Sequence, residues 1–495
     1  MSLTRFQSKS SSPDPSAASG AAGRRVHVVT FGCQMNKYDS LLAEGRFRRA
    51  GWEVSGTLED ADAVVFNTCS VRDHAEERAW SWIGELKRAK ALRPELVIGV
   101  MGCMAQRVGE EIFARAGHVD VVAGTRHYHN LPALVERVRE ARAATGSSSS
   151  SVRARDRAAR ALALEMDDPV AVDRSDEEYS GDVSAWLTVM RGCDLNCAFC
   201  IVPTVRGRVL SRPVEDVVRE ARWLVDRGAR AVTLLGQTVN SYGEDFAAPG
   251  PDETRHRGRQ GRPGLADLIH RLQEIDGLLR IRLITLHPSY LTPELARALR
   301  DCDKAERFLP LPAQSGSDRI LRAMRRGYTT DLYRRRVDML RDTVPDVELG
   351  SDWIVGFPGE TEEDYAASEA FLAEQRFAVN YVFKYDPRPG TSAAERLGDD
   401  VDEAVKKERN RRFLAASERV AFARFSRHVD GVRRVFVESV GEREPGTLLG
   451  RTIHGLPVSF AGGSELVGRE LDVRIVAASA YGLAGEPAAQ DSLTT

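Results

Sequence analysis

The stretch Arg191-Gly192-Cys193-Asp194-Leu195-Asn196-Cys197-Ala198-Phe199-Cys200 places three thiols within eight residues. Soft thiolates favour iron–sulfur clusters, zinc or Cu(I). Most all-protein clusters use four cysteines, and a closed structural zinc site also takes four protein ligands. No fourth cysteine lies nearby, so one metal is left with an open position, as a centre that must bind something requires. Three more cysteines share a local pattern. Phe31-Gly32-Cys33, Asn67-Thr68-Cys69 and Met101-Gly102-Cys103 each follow an apolar run, at 26–30, 63–67 and 96–101. That spacing predicts a thiol just past the carboxyl end of each of three strands, where open α/β sheets gather their ligands. Glycine beside two of them lets the backbone approach a bound group closely. Cys302 fits neither pattern and reads as a structural thiol.

The elements that must hold these thiols follow from periodicity. Residues 25–141 alternate apolar runs (the three above and 119–123) with helical stretches such as 40–50 and 75–91, which predicts a parallel sheet with helices on its faces. Residues 142–182 dissolve into serine, an Arg/Ala run and an acidic segment, and are expected to be a linker with one helix over 152–164. Residues 183–422 repeat strand then helix about six times, with strands expected at 186–190, 231–235, 280–286, 308–312, 347–355 and 379–385. Six such units predict a partial TIM-type barrel whose chemistry sits at the strand carboxyl ends. Short β runs at 432–439, 447–455, 456–460 and 471–478 predict a small antiparallel β-barrel over 423–486. The flanks 1–24 and 487–495 read as tails. The fold class is thus α/β and multidomain.

Seven cysteines in 495 residues, an odd number, do not form a disulfide framework and fit a reducing compartment. No apolar run approaches the ~20 residues that span a bilayer, so no membrane association is expected. The net charge of −2 excludes a global basic field, so any RNA surface must be a local patch. Arg433, Arg434 and Arg451, on or beside β runs of the small barrel, are the candidate phosphate contacts. The run Arg322, Arg325, Arg326, Arg334, Arg335 and Arg336 is a second candidate, with a solvated helix face as the equal alternative. The small barrel is expected to be separable: removing 423–495 should weaken RNA binding and spare the chemistry.

The C-x-x-x-C-x-x-C spacing after an apolar run, with Phe199 before the last cysteine, resembles the signature of radical S-adenosylmethionine enzymes. Over residues 25–485 the chain resembles the methylthiotransferases of that superfamily. The motifs that carry this are Thr30-Phe31-Gly32-Cys33-Gln34-Met35-Asn36-Lys37-Tyr38-Asp39-Ser40, Asn67-Thr68-Cys69-Ser70-Val71-Arg72, Arg206-Gly207-Arg208, Leu235-Gly236-Gln237-Thr238-Val239-Asn240, Gln314-Ser315-Gly316-Ser317, Gly356-Phe357-Pro358-Gly359-Glu360-Thr361 and Tyr385-Asp386-Pro387-Arg388-Pro389-Gly390-Thr391. Thr238 and Pro312 stand where the family commonly has Asn and His.

The resemblance implies two [4Fe–4S] clusters, one on Cys33, Cys69 and Cys103, the other on Cys193, Cys197 and Cys200. The second would bind S-adenosylmethionine on its open iron and yield a 5′-deoxyadenosyl radical, with cofactor contacts from Gly236, Gln237, Gly356, Pro358 and Phe199. It also implies a carboxy-terminal TRAM domain for the small barrel. The partner implied is tRNA, engaged at its anticodon loop. Gln34-Met35-Asn36 points to the branch acting on N6-isopentenyladenosine at position 37; the branches for threonylcarbamoyladenosine or a ribosomal protein aspartate are the runners-up. An electron donor such as flavodoxin or ferredoxin, a monomeric state and a cytoplasmic location complete the expectation. A rival from another class is a non-catalytic RNA-binding protein with two structural zinc sites.

Overall fold

The computed structural model describes residues 23–71, 73–144, 159–166, 181–250, 254–442 and 444–488. The chain forms two compact units. One comprises Met1–Ser180 together with Ile201–Gly207, the other Gly181–Cys200 together with Arg208–Thr495.

The first unit is built on six parallel strands, β1 (Arg25–Thr30), β2 (Glu53–Val54), β3 (Ala63–Thr68), β4 (Val97–Gly102), β5 (Val121–Ala123) and β6 (Ala161–Ala163), in the order β2-β1-β3-β4-β5-β6. Every residue of β3 and β4 is buried, the mark of central parallel strands covered on both faces. Strand order reverses between β1 and β3, so the crevice for a ligand opens at their carboxyl ends. The helices are α1 (Gln34–Arg49), α2 (Asp73–Leu92), α3 (Cys103–Val108), α4 (Glu111–Arg115) and α5 (Leu131–Ala144). Helix α1 starts six residues before the expected 40–50 because Cys33 stands in extended conformation as its N-cap. The helix expected over 152–164 is not borne out at its described end, and the rest of it, up to residue 158, lies outside the described residues. Ala161–Ala163 instead pairs with β5 as the sixth strand. Alanine's helical bias lost there to the burial of Ala161 and Ala163 on the sheet.

The second unit opens with β7 (Ser184–Thr188), then β8 (Met190–Arg191), which pairs with β9 (Leu210–Ser211). Strands β10 (Ala231–Leu235), β11 (Arg280–Leu283), β12 (Phe308–Pro310), β13 (Glu348–Val355) and β14 (Val379–Lys384) follow. They form two parallel three-stranded sheets, β11-β10-β7 and β12-β13-β14. A parallel bridge between Ile281 and Ala305 carries the series from one sheet to the next, giving the expected open six-stranded barrel. The helix Val214–Asp226 buries Val217, Val218, Ala221, Leu224 and Val225, the stripe expected of an amphipathic helix facing a sheet.

The same unit ends in a closed barrel, ordered β15 (Val432–Val440), β16 (Thr447–Thr452), β17 (Pro457–Ala461), β19 (Leu483–Pro487), β18 (Glu470–Ala478). Two features differ from expectation. The fifth strand, β19, is rich in Ala and Gly and ends in proline, so propensity does not reveal it. Its pairing with β17 is parallel, while the other pairs are antiparallel. The barrel is also tied to the open barrel by buried charge. Arg280 pairs with Glu470, and Arg282 pairs with Glu306 at 2.6 Å and with Glu438. Arg424 reaches Glu348 at 2.6 Å. Among the described residues no helix is long and apolar enough to cross a membrane.

Candidate metal centres

In the first unit the three thiols stand where the strands deliver them. Cys33 caps α1 after β1, Cys69 follows β3, and Cys103 opens α3 directly after β4. Cys69 and Cys103 are buried and Cys33 is exposed. The Cys103 thiol is pushed up to about 12, chiefly by burial, with Arg206 opposing the rise and Cys69 and Cys33 adding to it. Arg206 is buried and pairs with the buried carboxylate of Asp39 at 2.9 Å. It also donates to Asn36 Oδ1 at 3.2 Å, which accepts from the Cys33 thiol at 3.4 Å. A cation thus sits beside Cys33 and Cys103, two of the three thiols that must each become anionic to bind metal.

The backbone here leaves no slack. Asn36 donates to Asn67 Oδ1 at 3.1 Å and to the Thr68 carbonyl at 2.9 Å; Asn67 returns a bond to the Asn36 carbonyl at 2.7 Å. These amides stitch the Cys33 segment to the Cys69 segment, so Asn36 is structural; within Gln34-Met35-Asn36 only Gln34 is exposed. Gly102 has φ +94°, and a Cβ there would lie 2.4 Å from Asn67 Oδ1 and 2.6 Å from Thr68 O. Gly102→Ala is therefore expected to destabilise the protein by roughly 2–5 kcal/mol, from overpacking and left-handed strain together. Denaturant unfolding of the purified variant checks it.

In the second unit the triad lies on the loop after β8. Cys193 is buried, with its sulfur 3.3 Å from Thr238 Oγ1; burial raises its thiol. Cys197 and Cys200 are half-buried, and the Cys200 N–H bonds the Cys197 carbonyl at 3.1 Å. Gln237 accepts from the Gly192 N–H through its side-chain oxygen, so this predicted cofactor contact braces the thiol loop. A Cβ on Gly236 would meet Met190 Cγ at 2.5 Å, and one on Gly356 (φ +70°) would meet Lys406 Cγ at 2.4 Å. Packing accounts for both glycines. Phe199 packs beside Ala198, Ile320, Met324, Phe357 and Tyr385, and Pro358 lies in the turn after β13. Thr238 and Pro312, the two departures from the family pattern, both border the site. Pro312 contributes its carbonyl, which accepts from Arg326 at 3.3 Å and from the Tyr328 hydroxyl at 3.2 Å.

Sequence reasoning missed the cations. Arg326, placed among surface arginines by its basic run, is buried and donates to Cys197 Sγ at 3.2 Å. Arg206 lay inside a quoted motif without a role. Nothing in charge patterning separates Arg326 from Arg322 or Arg325. The candidate phosphate contacts are partly engaged with other groups. Arg434 lies 3.2 Å from Glu470 and Arg451 lies 3.4 Å from Glu438, while Arg433 donates to His428 Nδ1 at 2.9 Å.

Both three-thiol sets fit an iron–sulfur cluster by donor type and by the buried cation each faces. Among the described residues no three His, Cys, Asp or Glu side chains are gathered for a single metal ion, so the fit rests on these local contacts rather than on a closed ligand set.

His287, in the segment after β11 and the N-cap of the short 3-10 helix Pro288–Tyr290, is 2% exposed, and burial lowers its imidazole from 6.5 to about 2. A base held neutral in the fold and free to charge when unfolded stabilises the protein above pH 6.5. That contribution is lost as pH falls towards 2, by up to about 1.4 kcal/mol per pH unit. His287→Gln is expected to flatten this part of the stability–pH curve, as measured by unfolding at pH 7 and pH 5. Equal slopes in variant and wild type would exclude it.

The comparisons agree with this layout. The model of uncharacterized protein family UPF0004 matches residues 25–124, and that of the radical SAM superfamily matches residues 187–372. The tRNA-2-methylthio-N(6)-dimethylallyladenosine synthase of Nitrosomonas europaea is 39% identical over 473 residues, covering 94% of this chain and 99% of its own. The protein of that name from Syntrophotalea carbinolica is 39% identical over 461 residues, covering 92% and 98%. Among solved structures, the radical S-adenosylmethionine methyltransferase TsrM from Kitasatospora setae, with tryptophan substrate and a SAM analog bound, aligns with a TM-score of 0.53 at 17% identity and 75% coverage of each chain. That likeness concerns the fold alone. With near full-length relatives at this identity, the chain belongs to the family of tRNA-2-methylthio-N(6)-dimethylallyladenosine synthases.

Proposed function

We infer that this chain converts N6-isopentenyladenosine at position 37 of tRNA to its 2-methylthio derivative, using two [4Fe–4S] clusters and S-adenosylmethionine. The observation that carries the reading is the pair of three-thiol sets in separate units, each with its own buried arginine. The adenosine C2–H bond is unactivated, so acid–base catalysis cannot open it at useful rates. When bound, the cofactors supply the hydrogen-abstracting radical, the sulfur and the methyl group.

The protein's part is to hold, orient and exclude. Cys193, Cys197 and Cys200 hold the radical-generating centre, with Thr238 on the first sulfur, Arg326 on the second and Gln237 fixing the loop. Gly236, Gly356, Pro358 and Phe199 shape the bed for S-adenosylmethionine. Cys33, Cys69 and Cys103 hold the sulfur-carrying centre. A looped-out, prenylated base enters at the strand carboxyl ends. Arg433, Arg434 and Arg451 give salt-sensitive, sequence-independent contacts to the tRNA backbone, for which Arg434 and Arg451 exchange a carboxylate for a phosphate. The functional divisions run from 25 to 141, 183 to 422 and 423 to 486. An electron donor such as flavodoxin or ferredoxin, a monomeric state and a cytoplasmic setting complete the proposal.

The test separates the two centres. Cys69→Ala is expected to form 5′-deoxyadenosine with dithionite while nucleoside mass spectrometry of tRNA finds no methylthio product. Normal product would refute a sulfur-carrying first centre, and product on threonylcarbamoyladenosine alone would assign the chain to the sister branch.

A further inference from the structure

Arg326 is 6% exposed, and its donors are all directed inward. One terminal nitrogen donates to Cys197 Sγ at 3.2 Å, the other to the Pro312 carbonyl at 3.3 Å, and Nε to the Tyr328 hydroxyl at 3.4 Å. None of these partners is a carboxylate. A guanidinium withdrawn from water needs a compensating negative charge, and the Cys197 sulfur is the group in this set that becomes anionic on binding metal. The arrangement is also stiff. The Tyr328 hydroxyl is fixed by donating to the Ala313 carbonyl at 2.7 Å, and its ring packs on His287 with centroids 5.3 Å apart.

We propose that Arg326 is a positioning residue for the centre on Cys193, Cys197 and Cys200: its buried guanidinium, held on the Cys197 sulfur, sets how readily that centre accepts an electron. The inference rests on the proposed function, which places an iron–sulfur cluster there. Net charge and hydrogen bonds to the sulfurs are among the levers that set cluster potentials. Reduction adds negative charge beside a fixed cation and its donor, so Arg326 favours the reduced form. The residue touches a ligand of the centre and not the substrate, so it acts through Cys197.

The test is a redox titration of the full-length, cluster-loaded protein, followed by electron paramagnetic resonance. The signal of this centre is identified by its response to S-adenosylmethionine. For Arg326→Gln, which keeps a neutral donor and removes the charge, the ratio of reduced to oxidised centre at a fixed potential is expected to fall about tenfold, a downward shift of about 59 mV for one electron. Arg326→Lys, which keeps the charge and loses the fork, should fall between the two. Tyr328→Phe, which frees Nε, should shift the midpoint downward by less than the Gln variant. An unchanged midpoint in Arg326→Gln at full iron content overturns the proposal. Should that variant hold no iron, an unchanged midpoint in both Arg326→Lys and Tyr328→Phe overturns it, and a downward shift in either supports it. A wild-type protein with no S-adenosylmethionine-responsive signal would overturn the proposed function itself, and this inference with it.

Discussion

Replacing Cys193, Cys197 and Cys200 together with alanine is expected to remove about half of the bound iron and to bring S-adenosylmethionine cleavage below detection. The thiols are supplied by one loop between β8 and β9, whereas the other set hangs from three strands of a different unit. Loss of one set therefore leaves the strands carrying the other untouched. Iron analysis and assay of 5′-deoxyadenosine check the two halves of the expectation independently. Full iron content in the triple variant would show that this loop is not a ligand set.

Removing residues 423–495 is expected to abolish S-adenosylmethionine cleavage as well as tRNA binding, contrary to the separability suggested by sequence. The deletion strips Glu470 from Arg280 and Glu438 from Arg282, whose side chains are 5% and 13% exposed. It also cuts the helix Glu403–Ser426 before Arg424, the partner of buried Glu348. Breaking a buried pair by removing one partner costs about 3–5 kcal/mol. Arg282 keeps Glu306, but the loss at Arg280 and Glu348 alone, about 6–10 kcal/mol together, is comparable with the roughly 5–15 kcal/mol that stabilises a typical fold. Circular dichroism and cleavage assays on the truncated protein decide the matter. A folded, cleaving truncation would show that water can replace these carboxylates.

Much of this was legible in the sequence because the chemistry is carried by rare residues at fixed offsets. Cysteines after apolar runs announce both the strand and the site, and six strand–helix repeats announce an open barrel. What escaped is chemistry carried by common residues at a distance. Arg326 looks like its neighbours until the fold buries it against Cys197. Arg206 follows Cys200 by six positions yet completes the other unit. The strands Ala161–Ala163 and Leu483–Pro487 are built from residues with little strand preference, and only neighbouring strands fix them. The Arg280 and Arg282 pairs join residues far apart in sequence, where no local pattern records a partner.

The return of Ile201–Gly207 to the first unit has a consequence for biosynthesis. A ribosome makes the chain from its amino terminus, so the thiols Cys33, Cys69 and Cys103 emerge long before their cation. Arg206 arrives only after Cys193, Cys197 and Cys200 have been translated. The first unit therefore matures late, behind a segment that belongs to the second. A nascent chain interrupted ahead of residue 206 carries three thiols without the arginine that lies beside Cys33 and Cys103 in the finished protein. Translation order thus ties completion of the first centre to the prior synthesis of the ligands of the other.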